Sequence, residues 1–520
     1  MVSPNELLAR SLAALAALQK AGKHVIRSAD LSRNDRKRLQ EAGFIQEVVR
    51  GWHLPANPAE QSGNSSAWFA GMREFVAGYC NERFGADWHV SPDQSLMLRT
   101  GERTLPQQLQ VWATGANNQQ VQLPEGCSLF LYRAPGLCES EASLDAGGLR
   151  LATLPAALLA VGPAFFARQP LAARIALASV QDSAELLRPL LDGGHLIIAG
   201  RLAGAMRAIG RGNTADEIVT TMRAANLSIQ ETIPFDVAPS PLPAGRPESP
   251  YVQRLRLMWQ EMRQPVIDAF PAPGAGRPDV ESILLQVEAR YVADAYHSLS
   301  IEGYRVTAEL IEKVRNGQWQ PDGEDARSRD AMAAKGYFEA HLKVKAYIAE
   351  TMRAEAGSWP LHDALGTWYR ALFSPGVAAG VLKPSDLAGW RNDQVFIRGA
   401  LHVPLSKEAV RECMPVFFAL LAAEPHPAVR AVLGHFFFVY IHPYMDGNGR
   451  LGRFILNAML VTGGYPWTIV PLAQRKAYIA ALDEASSNRR IQPLATFFAD
   501  LVREQADTPL PEPRGREPAR

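Results

Sequence analysis

Two strongly apolar stretches lie close together in the C-terminal third of the chain. Residues 436–441 are all aliphatic or aromatic, and residues 454–460 are apolar except for Asn457. A helix that is apolar on every side is normally buried, so both stretches are predicted to form packed helices. Residues 442–453 between them are mostly polar or glycine, which predicts a rigid polar loop held by two buried helices.

This loop has the composition of an anion-binding site. Gly447 and Gly449 lack a Cβ and can take positive φ, which would let successive backbone N–H groups converge on an anion at the start of the second helix. Arg450 and Arg453 lie three residues apart, and both guanidinium groups therefore share one face of that helix. The sequence predicts a bound polyphosphate.

Two further side chains suggest a reaction. Asp446 would repel phosphates unless a divalent cation lay between them, and Mg²⁺ held by one carboxylate plus phosphate oxygens is a common arrangement. His442, whose unperturbed pKa would be about 6.5, is the candidate general base for an incoming hydroxyl. The alternative is purely structural: the glycines turn the chain, His442 caps a helix, and the arginines pair with surface carboxylates.

Residues 442–453 resemble the Fic family signature, His-Pro-Phe-x-Asp/Glu-Gly-Asn-Gly-Arg-x-x-Arg, and depart from it only at Tyr444. The resemblance implies transfer of AMP from ATP to a Ser, Thr or Tyr hydroxyl of a protein, with release of pyrophosphate. It also implies the roles of the loop residues: His442 is the base, Asp446 binds Mg²⁺, Gly447, Asn448 and Gly449 cradle the α- and β-phosphates, and Arg450 and Arg453 bind the remaining phosphate charge.

A second segment resembles the inhibitory motif of the Fic subgroup that carries its inhibitor N-terminal to the core, Ser/Thr-x-x-x-Glu-Gly/Asn. Its residues here are Ser298, Glu302 and Gly303, and the helical periodicity of residues 280–296 places them at a helix end. The resemblance implies that Glu302 pairs with Arg453 and prevents productive docking of the γ-phosphate. Taken alone, these six residues also suit an ordinary solvated carboxylate.

Residues 389–404 alternate and turn like a β-hairpin, and they resemble the Fic flap. An exposed edge strand there would bind an extended segment of the target protein. The flap supplies four nucleotide-binding candidates, of which the last contacts either nucleotide or target: Val395, Phe396, Ile397 and Arg398. The alternative is that two strands simply cover the core.

Three weaker candidates follow the loop. Tyr478 and Ile479 match the aromatic pair that the family places near the nucleoside, although plain core packing explains them equally well. Asn457 either reaches the ribose or satisfies internal polar groups.

Composition restricts the remaining choices. The chain has 520 residues, of which 47% are hydrophobic, enough for about three domains. Its 54 basic and 53 acidic residues give a net charge of +1, so nucleic acid or membrane binding would need a local patch. Four scattered cysteines, no basic leader and no long apolar run favour a cytoplasmic location and no membrane contact.

We expect a multidomain, mainly α protein. Residues 1–58, two helices followed by a β wing, resemble the winged-helix domain of AbiEi-type antitoxins and regulators, and a basic second helix (Arg33, Arg36, Lys37 and Arg38) offers phosphate contacts to DNA. The remaining predicted parts are a mixed α/β middle domain at 59–233, a Pro-rich linker at 234–250, an all-α Fic domain with its inhibitory helix and flap at 251–505, and a disordered tail at 506–520.

The predicted function is that of a self-inhibited protein adenylyltransferase that uses ATP and Mg²⁺. Two alternatives remain open at this point. One is a DNA-binding regulator or antitoxin-like adaptor whose Fic domain senses nucleotide, and the other is a Fic enzyme that removes AMP. A homodimer is also left open.

Overall fold

The computed structural model describes residues 3–21, 23, 25–56, 66–104, 106–134, 142–145, 148–237, 239, 248–274, 279–319, 328–354, 361–397 and 400–506. Contacts divide the chain into two compact units, Met1–Arg254 with Phe396–Val403, and Leu255–Val395 with Pro404–Arg520. The predicted tail beyond residue 506 and most of the Pro-rich linker lie outside the described residues, as does Arg398. Among the described helices, none combines the length and apolar composition needed to cross a bilayer.

The first unit mixes helices and strands. Its N-terminal elements are α1 (Pro4–Lys20), β1 (Ile26–Arg27), α2 (Arg33–Glu41), β2 (Ile45–Val49) and β3 (Trp52–Pro55). The elements that follow are α3 (Ser66–Phe84), β4 (Trp88–Val90), α4 (Pro92–Arg99), β5 (Gln108–Ala113), β6 (Gln119–Gln122), β7 (Ser128–Arg133), β8 (Ala142–Leu144), β9 (Arg150–Ala152), α5 (Leu154–Ala160), α6 (Pro163–Arg168), α7 (Pro170–Ser179), α8 (Ala184–Asp192), α9 (Leu196–Ala208) and α10 (Gly212–Ala224).

The strands of this unit form two sheets. Within the described residues, the small sheet has the order β1-β3-β2 and is antiparallel throughout. The larger sheet has the order β6-β7-β5-β4-β9-β8, with β5 parallel to β7 and β4 parallel to β9. Trp52 and Leu54 of β3 share an apolar cluster with Phe75 of α3 and Val111 of β5. The N-terminal hairpin therefore packs into the same core as the middle region.

The helical pattern of residues 28–42 predicts the second helix of the N-terminal region, and the structure differs from it in one detail. The helix α2 begins only at Arg33, because Asp30 accepts a hydrogen bond from the backbone N–H of Arg27 at 2.8 Å and closes a turn before it. Basic side chains of α2 have partners within the unit: Arg36 donates to the carbonyl of Ser28, Arg38 pairs with Asp35, and Lys37 pairs with Glu41. The winged-helix assignment stays a prediction.

The second unit is helical over its described residues. The helix α11 (Pro250–Ala269) begins in the first unit and continues into the second. The others are α12 (Val280–Ile301), α13 (Ala308–Arg315), α14 (Arg329–Arg353), α15 (Leu361–Ala378), α16 (Lys407–Ala423), α17 (Pro427–Ile441), α18 (Asn448–Thr462), α19 (Arg475–Ser487) and α20 (Gln492–Ala506), with short 3₁₀ turns at Pro384–Leu387 and Leu472–Gln474. The chain is thus mainly α, as the sequence predicts.

The two helices that flank the polar loop are buried as expected. Nearly every side chain of α17 and α18 is inaccessible to solvent, including Phe436, Phe437, Phe454 and Leu456. Pro427 suits the first turn of α17, where a backbone N–H would have no helical partner. Residues 442–447 therefore connect the end of one buried helix, α17, to the start of another, α18.

The predicted β-hairpin flap is wrong for the residues that the structure describes. Residues 389–397 and 400–404 contain no strand, and only an isolated bridge joins His402 to Thr104 within the first unit. Side chains occupy the backbone carbonyls that a ladder would use: Arg391 donates to the carbonyls of Asp393 and Leu405, and Gln394 donates to that of Pro404. The sequence of this segment alternates in polarity, but its described residues do not pair through their backbones as a β-ladder requires.

Candidate active site

His442 follows α17 in a left-handed backbone conformation, with φ 57° and ψ 61°. That conformation is uncommon for a residue with a Cβ and persists only where the surroundings enforce it. The ring Nδ1 lies 3.2 Å from the carbonyl oxygen of Val439. Because a carbonyl only accepts, Nδ1 carries the proton and Nε2 keeps a lone pair that can take a proton from a substrate.

Arg391 fixes the backbone around His442, and sequence reasoning missed it. Its Nε donates to the carbonyl of His442 at 2.8 Å, and its backbone N–H donates to the carbonyl of Pro443 at 2.9 Å. The same buried guanidinium also donates to the carbonyls of Asp393 and Leu405. A lone arginine in an alternating segment has no spacing signal, so only the tertiary structure reveals this role.

The surroundings of His442 make it a neutral base. Burial lowers its pKa to about 4, with a contribution from the Arg391 guanidinium, while the Val439 carbonyl and the carboxylates of Glu302 and Asp446 act in the opposite direction. This value lies below the ordinary pKa assumed from the sequence. The imidazole is therefore unprotonated at neutral pH, which is the state that a general base requires.

The loop turns on Gly447, whose φ is +83°. The side-chain amide of Asn448 closes the turn, because it accepts from the N–H of Tyr444 at 3.0 Å and donates to the carbonyl of Tyr444 at 2.8 Å. Gly449 does not use the positive φ open to glycine, since this residue lies inside the first turn of α18. Gly449 is needed for a different reason: a Cβ there would stand 2.2 Å from the Oε1 of Glu302.

Glu302 and Arg453 are in direct contact across 151 residues of sequence. The Nη2 of Arg453 donates to the Oε1 of Glu302 at 2.6 Å, and its Nε donates to the Oγ of Ser298 at 2.8 Å. Burial would lower the pKa of Arg453, but the Glu302 carboxylate outweighs burial and raises that pKa. Arg453 is almost fully buried, whereas 31% of the Glu302 side chain is exposed. The carboxylate therefore lies at the positive end of α18, where an anion is favoured.

The end of α12 sets the position of Glu302. Gly303 takes a φ of +87°, its N–H donates to the carbonyl of Ser300, and the N–H of Tyr304 donates to the carbonyl of Leu299. This pair of bonds is the Schellman motif, in which a glycine ends the helix. The chain thus leaves α12 in a fixed direction immediately after the carboxylate.

Asp446 is the candidate Mg²⁺ ligand. Its Oδ1 accepts from the N–H of Gly447 at 2.6 Å, its Oδ2 lies 3.2 Å from the Nη2 of Arg450, and 59% of its side chain is exposed. Within the described ranges, no group of three or more His, Cys, Asp or Glu residues is arranged to hold a metal ion. A single accessible carboxylate fits Mg²⁺ that takes its other ligands from phosphates and water.

The three weaker candidates pack into the protein. Tyr478 is buried and its hydroxyl lies 2.8 Å from the Nε2 of His435, while Ile479 is half-buried beside it on α19. Both ends of the Asn457 amide bond to the backbone of Thr468, at 2.6 and 3.0 Å. These contacts agree with the alternatives that the sequence left open, core packing for Tyr478 and satisfied internal polar groups for Asn457, and the contacts of both residues with the nucleoside stay a prediction.

The flap candidates have different surroundings. Phe396 packs against the apolar cluster of the first unit, together with Leu401 and Val403. Val395 and Ile397 are half-buried, and Arg398 lies outside the described residues. The assignment of these four residues as nucleotide contacts stays a prediction.

Residues 361–460 match the family model described as the Fic/DOC family. The chain is 30% identical over 225 residues to the protein adenylyltransferase Fic of Drosophila mojavensis, covering 42% of this chain and 41% of that protein. It is 29% identical over 228 residues to the protein adenylyltransferase Fic of Nematostella vectensis, covering 43% and 50%. The chain therefore spans at most half the length of these two relatives.

Among solved structures, the chain is similar to Fic-1 from C. elegans, with 18% identity, a TM-score of 0.35, and coverage of 65% of this chain and 90% of that one. A TM-score below 0.5 adds nothing to the assignment. The family match contains both His442 and the arginines that end the loop, and the curated relatives carry the family's name. Residues 361–460 are therefore similar to the Fic/DOC family, and they contain the whole loop from His442 to Arg453.

Proposed function

We propose that this protein transfers AMP from ATP to a Ser, Thr or Tyr hydroxyl of a protein substrate. The observation that carries the proposal is that a neutral histidine with an available Nε2 stands next to a helix start built to hold anions. The curated relatives named above are protein adenylyltransferases, which supports the same reaction.

The proposed reaction has one displacement and one proton transfer. The oxygen of the target hydroxyl attacks the α-phosphorus of ATP, the bond from that phosphorus to the bridging oxygen breaks, and pyrophosphate leaves with the bonding electrons. The proton of the hydroxyl passes to the Nε2 of His442. Arg391 holds the backbone carbonyl of His442 and the Val439 carbonyl accepts from its Nδ1, so that backbone and ring are both held while the proton moves.

The helix start and its arginines bind the phosphates. The first backbone N–H groups of α18 have no helical acceptors, and the helix dipole adds positive potential at the same place. Arg450 and Arg453 supply charge-assisted hydrogen bonds. Asp446 would hold Mg²⁺, which when bound neutralises phosphate charge and assists departure of pyrophosphate.

We further propose that Glu302 inhibits the enzyme in this state. Its carboxylate accepts from the Nη2 of Arg453 and fills the space over Gly449 that a phosphate would need. The inhibitor is a single side chain with 31% of its surface exposed at the end of a capped helix. Rotation of that side chain would remove the carboxylate from Arg453, whose bonds to the Oγ and the carbonyl of Ser298 do not depend on it.

Transfer of label tests the reaction. The protein carrying Glu302→Gly is incubated with Mg²⁺ and ATP labelled at the α- or the γ-phosphate, with a cell extract as the source of targets. The label that the extract incorporates without the protein is subtracted, because kinases in an extract transfer the γ-phosphate. Label should enter protein only from the α-position, and His442→Ala should abolish its entry, whereas His362→Ala, an exposed histidine of α15, should not change it. Label entering from the γ-position, or full activity of His442→Ala, contradicts the proposal.

The two alternative functions have less support. DNA binding through α2 would require basic side chains that already pair with Asp35, Glu41 and the Ser28 carbonyl. Removal of AMP would use the same loop, and pre-labelled protein tests it directly. Loss of label from AMP-modified protein without ATP, and no transfer from ATP, would favour that reaction.

A further inference from the structure

Arg450 lies between two aromatic rings. Its guanidinium carbon is 5.0 Å from the ring centroid of Tyr304 and 5.1 Å from that of Phe373. Only 2% of its side chain is exposed. Tyr304 comes from the turn that ends α12, and Phe373 comes from α15. Two separate elements thus enclose one phosphate-binding arginine.

The polar contacts of Arg450 are few for a buried cation. Its Nη2 lies 3.2 Å from the Oδ2 of Asp446, and its Nε is buried without a hydrogen-bond partner. Burying a guanidinium that is incompletely bonded is unfavourable. The negative faces of aromatic rings offset part of that cost without using any N–H donor.

This arrangement differs from that of Arg453. A carboxylate holds Arg453, and the carboxylate must leave before phosphate can bind. Aromatic rings and one bond to Asp446 hold Arg450, and a ring face does not compete with an oxyanion for the N–H groups. Arg450 is therefore kept in place while its donors other than the one that faces Asp446 stay available.

Phe373 also supports the loop itself. A Cβ on Gly447 would stand 2.8 Å from the Cε2 of Phe373, so this ring lies directly against the turn. The ring centroid of Tyr369 is 5.0 Å from that of Phe373 and 4.0 Å from that of Tyr444, on which Tyr369 stacks. Phe373 is thus one member of an aromatic layer, whereas Tyr304 contacts Arg450 and Arg329 through its ring.

We infer that Tyr304 is a positioning residue that holds Arg450 ready for the phosphates of ATP, an inference that rests on the proposed function. The turn after α12 then has two opposite effects. Glu302 blocks Arg453 and prevents productive binding, while Tyr304, two residues later, prepares Arg450 for it. Removing only the carboxylate should activate the protein, and removing the ring as well should reverse part of that gain.

Equilibrium binding tests this inference without depending on transfer. Titration calorimetry with ATP and with AMP compares the Glu302→Gly protein with the same protein carrying Tyr304→Leu or Tyr304→Phe. Loss of the ring should weaken ATP binding about tenfold and leave AMP binding within about twofold, because AMP lacks the β- and γ-phosphates. Tyr304→Phe keeps the ring and should bind ATP like its parent.

Three results would overturn the inference. They are unchanged ATP binding by Tyr304→Leu, equal weakening of ATP and AMP, and a loss in Tyr304→Phe as large as that in Tyr304→Leu. If Tyr304→Leu does not fold, Phe373→Leu removes the opposite ring, and unchanged ATP binding there contradicts the inference as well. A selective loss of ATP affinity in protein that never transfers AMP would instead retain the role of Tyr304 and reject the proposed reaction.

Discussion

The Nη2 of Arg453 donates to the Oε1 of Glu302 at 2.6 Å, and this carboxylate oxygen lies 2.2 Å from the point where a Cβ on Gly449 would stand. One small space at the start of α18 therefore holds the Glu302 carboxylate. Under the proposed function, the same space would have to hold a phosphate of ATP during transfer. The carboxylate and the phosphate would then compete for one space, which is how the proposed inhibition would act.

The first prediction follows from the closeness of Gly449. Gly449→Ala should reduce AMP transfer at least tenfold, in the Glu302→Gly protein as well as in the wild type, because the added methyl group obstructs phosphate as well as carboxylate. The measurement is label incorporation from α-labelled ATP. Gly464→Ala also adds a methyl group, at a position away from the loop where the nearest atom lies 3.5 Å from the added Cβ. Because Gly464 has a φ of +88°, this variant measures the effect of backbone strain only.

Arg391 gives the second prediction. Arg391→Lys keeps the charge but loses the planar fork that reaches several carbonyls, so kcat should fall about 10- to 100-fold while ATP affinity stays within about twofold. Steady-state kinetics and calorimetry on the Glu302→Gly protein separate the two quantities. Arg503→Lys, at an exposed arginine paired with Asp500, is the control. A fall in ATP affinity that matches the fall in kcat would show a general structural defect instead.

The third prediction concerns pH. The base form of His442 is the unprotonated one, and its pKa is lowered to about 4, so kcat should stay level down to about pH 5.5 and fall only below that. A fall in kcat centred near the ordinary histidine pKa would contradict the lowered pKa of His442. Because the pKa of His442 is lower in the folded chain than in the unfolded chain, the unfolded chain binds more protons below the ordinary histidine pKa. The free energy of unfolding should therefore decline as the pH falls from the ordinary histidine pKa towards about 4. Near-UV circular dichroism at each pH checks that the protein assayed is still folded.

Asp446 gives the fourth prediction. Asp446→Asn should reduce the dependence of ATP binding on Mg²⁺, because the amide carries no charge for the cation, while binding without Mg²⁺ should be retained. Titrations with and without Mg²⁺ measure this. An identical response to Mg²⁺ in the variant and the parent would exclude Asp446 as a ligand.

The sequence predicted the parts of the site that are continuous along the chain. The two buried helices, the turn at Gly447 and the helix end at Gly303 all follow from local patterns of apolar residues and glycine. The contact between Glu302 and Arg453 was expected only from resemblance to a family, since no pattern within one chain relates residues 151 positions apart.

Other features depend on tertiary contacts that no local pattern records. Arg391 and Phe373 are ordinary residues in their own segments, and each gains a role only because α17 and α18 bring the loop against them. The hairpin over 389–404 was wrong for a related reason: its alternation is typical of strands, but the side chains of Arg391 and Gln394 occupy carbonyls needed for strand pairing.

We propose above that Glu302 restrains AMP transfer by holding Arg453. The most direct measurement is AMP incorporation at saturating Mg²⁺ and ATP for the wild type, Glu302→Gly, Arg453→Ala, the double variant, and Glu350→Gln as a control at an exposed carboxylate of α14. Glu302→Gly should exceed the wild type about tenfold or more, and the double variant should lose that gain because the released arginine is absent. If Glu302→Gly incorporates no more AMP than the wild type, or the double variant stays as active as Glu302→Gly, the account is contradicted.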